Sequence, residues 1–170
     1  MSDVDQARRP GPGRRRATHP PGRQRKLSGW GRVAHSRAEV IEVRAADEVA
    51  AVIAARGAGT GGVIARGAGR SYGDAAQNSG GTVLDLTGLD RIISIDAERL
   101  LVRVQCGVTY AALLTELTAR NLMLPVVPGT RYVTIGGAIA SDVHGKNHPR
   151  DGSIARHVVA LRVCTPAEGC

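Results

Sequence analysis

The 170-residue chain carries 23 basic and 15 acidic side chains, for a formal net charge of +8, and 42% of its residues are hydrophobic. That length fits one domain or part of a larger one. One Trp, three Tyr and no Phe leave a core of Ala, Val, Leu and Ile and argue against a base-stacking nucleic-acid surface. No apolar run approaches the roughly 18 residues of a membrane span, and three cysteines without a C-x-x-C pair argue against a disulfide framework or a zinc site.

Most of the charge sits at the start of the chain. Residues 1–28 hold eight basic side chains (Arg8, Arg9, Arg14, Arg15, Arg16, Arg23, Arg25 and Lys26) against Asp3 and Asp5. This segment is rich in Pro, Gly and Arg without apolar periodicity and is expected to be a disordered basic tail. Arg8-Arg9 is not followed by an apolar stretch, so no secretory signal is predicted. That absence points to the cytoplasm. Residues 29–170, nearly balanced in charge, form the folded part.

Val40 to Val43 reads as a strand, and Asp47 as the cap of a helix over 48–56 with Val49, Val52 and Ile53 on one face. Val63 to Ala65 and Thr82 to Leu86 read as strands. Ile92 to Ile95 and Leu100 to Val104 form a hairpin turning at residues 96–99. Thr109 caps a helix reaching Arg120, Leu122 to Val127 is extended, Thr134 caps a short helix of small residues, and Val158 to Val163 is a last strand. Cys106 and Cys164 end apolar runs and are expected to be buried thiols. The mixture predicts an α+β domain of two small sheets with flanking helices. Glu168-Gly169 reads as a turn without a following strand, so the domain is expected to be incomplete at its C-terminal side.

Two segments carry chemistry. In the first, Val63-Ile64-Ala65 runs into Arg66-Gly67-Ala68-Gly69-Arg70-Ser71-Tyr72-Gly73-Asp74-Ala75. Successive backbone amides in such a loop form an anion-binding nest, which suggests a diphosphate site. It is not a Walker loop, because Gly145-Lys146 is followed by Asn147. The spacing from Gly67 through Gly69 to Gly73 is one residue too long for the dinucleotide fingerprint. In the second, Gly129 and Thr134-Ile135-Gly136-Gly137-Ala138-Ile139-Ala140 precede Ser141-Asp142-Val143-His144-Gly145-Lys146-Asn147-His148. Small residues let another surface approach, and free amides at a helix start would make a second anion or ring-edge site. His144, Lys146, Asn147 and His148 could donate to a ring or a substrate oxygen. No acidic residue of the H-E-x-x-H kind separates the two histidines, and no metal site is expected.

Together these segments resemble the FAD-binding domain of the vanillyl-alcohol-oxidase-type (PCMH-type) flavoproteins, and within it the decaprenylphosphoryl-β-D-ribose 2-oxidase branch. The resemblance rests on Gly29-Trp30-Gly31-Arg32, on residues 65–74 with Gln77-Asn78, on Pro128-Gly129-Thr130-Arg131 and on residues 134–148. It implies FAD bound between two subdomains. Ala65 to Ala75 would wrap the pyrophosphate; Gly129, Thr134, Ile135, Gly136 and Gly137 would pack on the cofactor; Ser141, Asp142, Val143 and His144 would line the flavin. Tyr72, His144 and Lys146 would face the substrate as the catalytic group. Related flavoproteins bond the flavin covalently through a His of the glycine loop; Arg70 stands there, so the resemblance implies non-covalent FAD. It also implies oxidation of the 2-hydroxyl of a polyprenylphosphoryl ribose, a lipid-linked sugar, to a keto sugar for cell-wall arabinan. A partner keto-reductase and a location at the cell envelope come with that role. The resemblance further implies a substrate domain that these residues do not contain, so the chain alone is read as incomplete. The alternatives are a sugar-lactone oxidase-type FAD domain, or a non-catalytic remnant. A nucleic-acid partner, resting only on the basic tail, ranks last.

Overall fold

The structure is a computed structural model and describes residues 19–56 and 61–170. Strands β1 (Arg23–Ser28), β2 (His35–Glu42), β3 (Val63–Arg66) and β4 (Thr82–Asp85) form a sheet of order β1-β2-β4-β3. β1 is antiparallel to β2; β2 and β3 both run parallel to β4. Helix α1 (Ala46–Arg56) connects β2 to β3. Strands β5 (Ile92–Asp96) and β6 (Leu101–Val104) pair as the predicted hairpin. Helices α2 (Tyr110–Thr118), α3 (Ile135–Ala140) and α4 (His148–Asp151) follow, then a 3-10 turn at Ile154–His157. Two small sheets with flanking helices agree with the α+β expectation.

The larger sheet is covered on both faces, as parallel strands require. Ile41, Val43 and Leu84 meet Val49 and Val52 of α1, while Ala38, Val40 and Val83 close the opposite face with Leu27 and Ile64. A separate core gathers Val108, Tyr110, Leu113, Leu117, Ile135, Ala138 and Ile154 beneath α2 and α3. Each fully buried side chain of this kind contributes roughly 1.5–3 kcal/mol. Arg56 in the last turn of α1 grips Glu39 of β2 with both terminal nitrogens, joining helix to sheet at the end where the helix dipole favours a cation.

Four expectations need correction. Arg23–Ser28 is not part of a disordered tail. It is an edge strand that pairs with β2 along its whole length, with Leu27 turned into the core and Arg25 bridging Glu42 at 2.8 Å. Basic side chains on an edge strand also discourage further strand addition. Residues 1–18 lie outside the described residues. The α1 cap is not Asp47: Glu48 reaches back to accept the amides of Arg44 and Ala45 at 2.7 and 3.1 Å, half of a capping box. Val158 to Val163 is not a strand. Among the described residues nothing pairs with it, and Val159, Leu161 and Val163 are exposed. Finally, Cys164 is not a thiol: it forms a disulfide with Cys170 across a turn in which Thr165 and Gly169 exchange hydrogen bonds at 2.7 and 2.9 Å. Cys106 is free, and burial raises its pKa. No helix among the described residues is long and apolar enough to cross a membrane.

Candidate functional site

β3 ends at the same edge as β4, and the glycine loop leaves from its carboxyl end, where open parallel sheets place ligands. Arg66 braces the loop. Its guanidinium donates to Ala76 O at 3.0 Å and to Ser28 O at 2.7 Å, so the loop exit and the end of β1 share one side chain. Asn78 fixes the way out by donating to Gly61 O, Gly62 O and Thr82 O. The turn between β1 and β2 lies alongside: Trp30 N donates to Ser71 O at 2.7 Å, and a Cβ on Gly31 would sit 2.7 Å from Tyr72 O. Residues 71–74 are loop, as the sequence indicates.

Within this brace the backbone amides of residues 67–76, though not all of its carbonyls, are left to bind. Among the described residues none of its amides donates to a protein acceptor. Gly69 takes φ 64° and Ala76 φ 58°, turning the chain back on itself. Gly73 faces open space. A glycine-rich run whose amides have no partner among the described residues suits a pyrophosphate, so the residues present fit the phosphate end of FAD.

α3 faces the loop. Thr134 caps it, its hydroxyl accepting Gly137 N at 3.2 Å. A Cβ on Gly67 would run into that hydroxyl, so loop and cap are in direct contact. The expectation of free amides at this helix start does not hold. Ile135 N donates to Val108 O at 2.7 Å and Gly136 N to Cys106 O at 2.8 Å, because α3 is docked on the segment before α2. Gly136 is required by that docking, since a Cβ there would lie 2.8 Å from the Cys106 Cβ. What α3 offers a ligand is therefore a small-residue surface and not an anion hole. Gly129, next to it in the chain order, is exposed and faces open space.

The segment after α3 is held on both sides. Asp142, at φ 42°, accepts Ala155 N at 3.1 Å, and Val143 O accepts Ile154 N at 2.9 Å. Asn147 donates to Pro125 O at 2.8 Å and to the Asp151 carboxylate at 2.5 Å. The Asp151 carboxyl is held below the usual range by the Arg150 guanidinium and by Asn147. The rings of His144 and His148 lie 4.7 Å apart. Ser141, Asp142, His144 and Lys146 are exposed, and Tyr72 is 76% exposed. Among the described residues no hydrogen bond or ring contact joins Tyr72 to His144 or Lys146. Three or more His, Cys, Asp or Glu side chains do not cluster as a metal site among the described residues.

One arrangement is invisible in the sequence. The Arg70 guanidinium lies 4.4 Å from the centre of the Trp30 ring and 5.9 Å from that of Tyr132, and Arg131 lies 5.6 Å from Tyr132. These side chains come from three separate segments of the sequence, and only the fold joins them.

A glycine loop with free amides set against a capped helix of small residues defines an FAD-binding fold, and the chain belongs to the FAD binding domain family, whose model matches residues 38–169. Its cofactor is FAD. The chain is 47% identical over 142 residues to the decaprenylphosphoryl-beta-D-ribose oxidase of Mycolicibacterium smegmatis, covering 83% of this chain and 31% of that protein. It is 30% identical over 133 residues to the D-lactate dehydrogenase of Anaerostipes hadrus, covering 77% and 28%. It is 34% identical over 103 residues to the L-gulono-1,4-lactone dehydrogenase of Mycobacterium tuberculosis, covering 61% and 24%. Among solved structures it resembles alkyldihydroxyacetonephosphate synthase, with a TM-score of 0.68 at 18% identity over 81% of this chain and 27% of that one. It also resembles cholesterol oxidase from Brevibacterium sterolicum, with a TM-score of 0.65 at 20% identity over 73% and 25%. These last two show the fold alone. The chain spans about a third of the length of the curated relatives it matches.

Proposed function

We propose that the chain is the FAD-binding portion of an oxidoreductase that oxidises the 2-hydroxyl of a polyprenylphosphoryl ribose to a keto sugar. The observation that carries this reading is the 47% identity over 142 residues to the mycobacterial decaprenylphosphoryl-ribose oxidase. The lactone dehydrogenase match, over 61% of the chain, supports the rival substrate class less.

In this reading the amides of residues 67–75 bind the pyrophosphate, and Gly129, Thr134, Ile135, Gly136 and Gly137 give the cofactor a surface without bulk. FAD, when bound, supplies the acceptor for a hydride from the sugar carbinol. Ser141, Asp142 and Val143 set the backbone that carries His144 and Lys146 to the ligand side. Lys146, with no carboxylate partner among the described residues, stabilises negative charge growing on the substrate oxygen. His144 takes its proton. Tyr72 contributes to the substrate side from the glycine loop. Arg70 offers no imidazole for a covalent link, and the cofactor is held without one. The lipid-linked substrate ties the enzyme to the cell envelope, and a keto-reductase consumes the product.

The visible spectrum of the purified chain before and after acid precipitation tests the cofactor half of this reading. Yellow protein whose flavin moves to the supernatant is the expected result. Colourless protein that also refuses added FAD would overturn it.

A further inference from the structure

We propose that Arg70, held between the rings of Trp30 and Tyr132, is a phosphate-recognition residue, with Arg131 as the second cation of the same site. Cation–π contact fixes a guanidinium in place without neutralising it. That is what the geometry provides. Arg70 stacks 4.4 Å from the Trp30 centroid and 5.9 Å from that of Tyr132. Its Nε is buried and has no hydrogen-bond partner, and among the described residues no carboxylate lies within 4.0 Å of Arg70 or Arg131.

Its guanidinium is only partly buried, so a cation held by two rings and left without a carboxylate among the described residues keeps its charge for an oxyanion ligand. A guanidinium suits phosphate because its fork matches two phosphate oxygens. One member of the clamp, Trp30, lies upstream of residues 38–169, where the family match begins. Its backbone is nonetheless pinned to the loop through Ser71 O. A second aromatic, Tyr132, has Arg131 5.6 Å from its centre as well, so a second cation shares a ring with the clamp.

The phosphate could belong to FAD or to the phosphorylated sugar of the reading above, on which only the second choice rests. Trp30 is the sole tryptophan of the chain, so its emission reports on the clamp directly. The full chain is titrated with inorganic phosphate, ribose 5-phosphate, FAD and riboflavin. The same titrations are made on Arg70→Gln, Arg70→Lys and Arg131→Gln, with circular dichroism as the check on folding. The expected result is a saturable change in Trp30 emission with ribose 5-phosphate. Arg70→Gln should weaken it about tenfold, and Arg70→Lys less.

Unchanged FAD affinity in Arg70→Gln then assigns the phosphate to a second ligand. FAD binding weakened about tenfold with riboflavin unaffected assigns it to the cofactor. Phosphate and FAD titrations that match wild type in both folded Gln variants would overturn the proposal. Flavin uptake by the wild-type chain is read separately in the visible band. The flavoprotein reading can therefore fail while the phosphate response survives, and the reverse.

Discussion

Gly67 faces Thr134 so closely that a methyl group on it would collide with the threonine hydroxyl. That hydroxyl is already committed to Gly137 N at 3.2 Å, and Thr134 is 2% exposed, so it has nowhere to go. The cofactor loop and the small-residue helix are thereby set at one fixed spacing. Gly67→Ala should push the loop off α3 or break the cap, with a loss of about 1 kcal/mol for the cap alone and a marked loss of FAD affinity. Thr134→Ala opens the space at the same cost in capping. The two changes should then be less than additive in chemical denaturation, because the second relieves the clash made by the first. Strict additivity would place Gly67 out of reach of Thr134.

Arg66 carries a different share of the same loop. It stands among the residues expected to wrap the pyrophosphate through their amides, and its guanidinium is engaged by Ala76 O and Ser28 O. Arg66→Ala leaves two carbonyls without a donor and unties the loop exit from β1, at a cost of roughly 1–3 kcal/mol. The measurement is paired: a urea midpoint and an FAD titration. Both should fall together. Loss of FAD binding at unchanged stability would instead make Arg66 a direct ligand.

How much of this was legible follows from how local each signal is. Thr109 and Thr134 each begin a helix as expected, because a cap and its helix lie within one turn of chain. The hairpin at residues 92–104 was readable for the same reason. β1 was not, because Arg23–Ser28 has no apolar alternation and becomes a strand only through β2. The apolar run at residues 158–163 misled in the opposite sense, since an apolar run without a partner strand does not make a ladder. The Cys164–Cys170 bond depends on a turn that brings the two together. The clamp on Arg70 depends on a fold that joins three separate segments.

Alkaline stability should report on the core beneath α2. Burial pushes the Tyr110 phenol up to about 12 from an ordinary 10.0. The folded state therefore keeps this proton over a range where the unfolded chain releases it. Its contribution is complete below pH 10 and is lost as pH rises toward 12, by roughly 2–3 kcal/mol across that window. Tyr110→Phe should flatten the slope of urea midpoint against pH there. The hydroxyl makes no hydrogen bond among the described residues, so the change costs little at neutral pH. Cys106, whose thiol burial also raises above 9.0, leaves a separate step that begins lower and survives the substitution. An unchanged slope in Tyr110→Phe would show that the phenol is hydrated in the folded state.

Asn147 ties the His144–Lys146 turn to the extended segment before α3 through Pro125 O and to α4 through Asp151. Asn147→Ala removes both anchors at once. Stability should fall by about 1–2 kcal/mol, and the imidazole resonances of His144 and His148, mutually shifted by rings 4.7 Å apart, should move toward those of free histidine. Asn147→Asp is the sharper test. The introduced carboxylate keeps the size but faces Asp151 with like charge, so at neutral pH it should destabilise more than Ala does. As pH falls into the carboxylate range one of the pair takes a proton and can donate to the other, and the deficit against wild type should shrink. A deficit that stays constant with pH would mean that the two side chains do not meet, and that the turn is held by Pro125 alone.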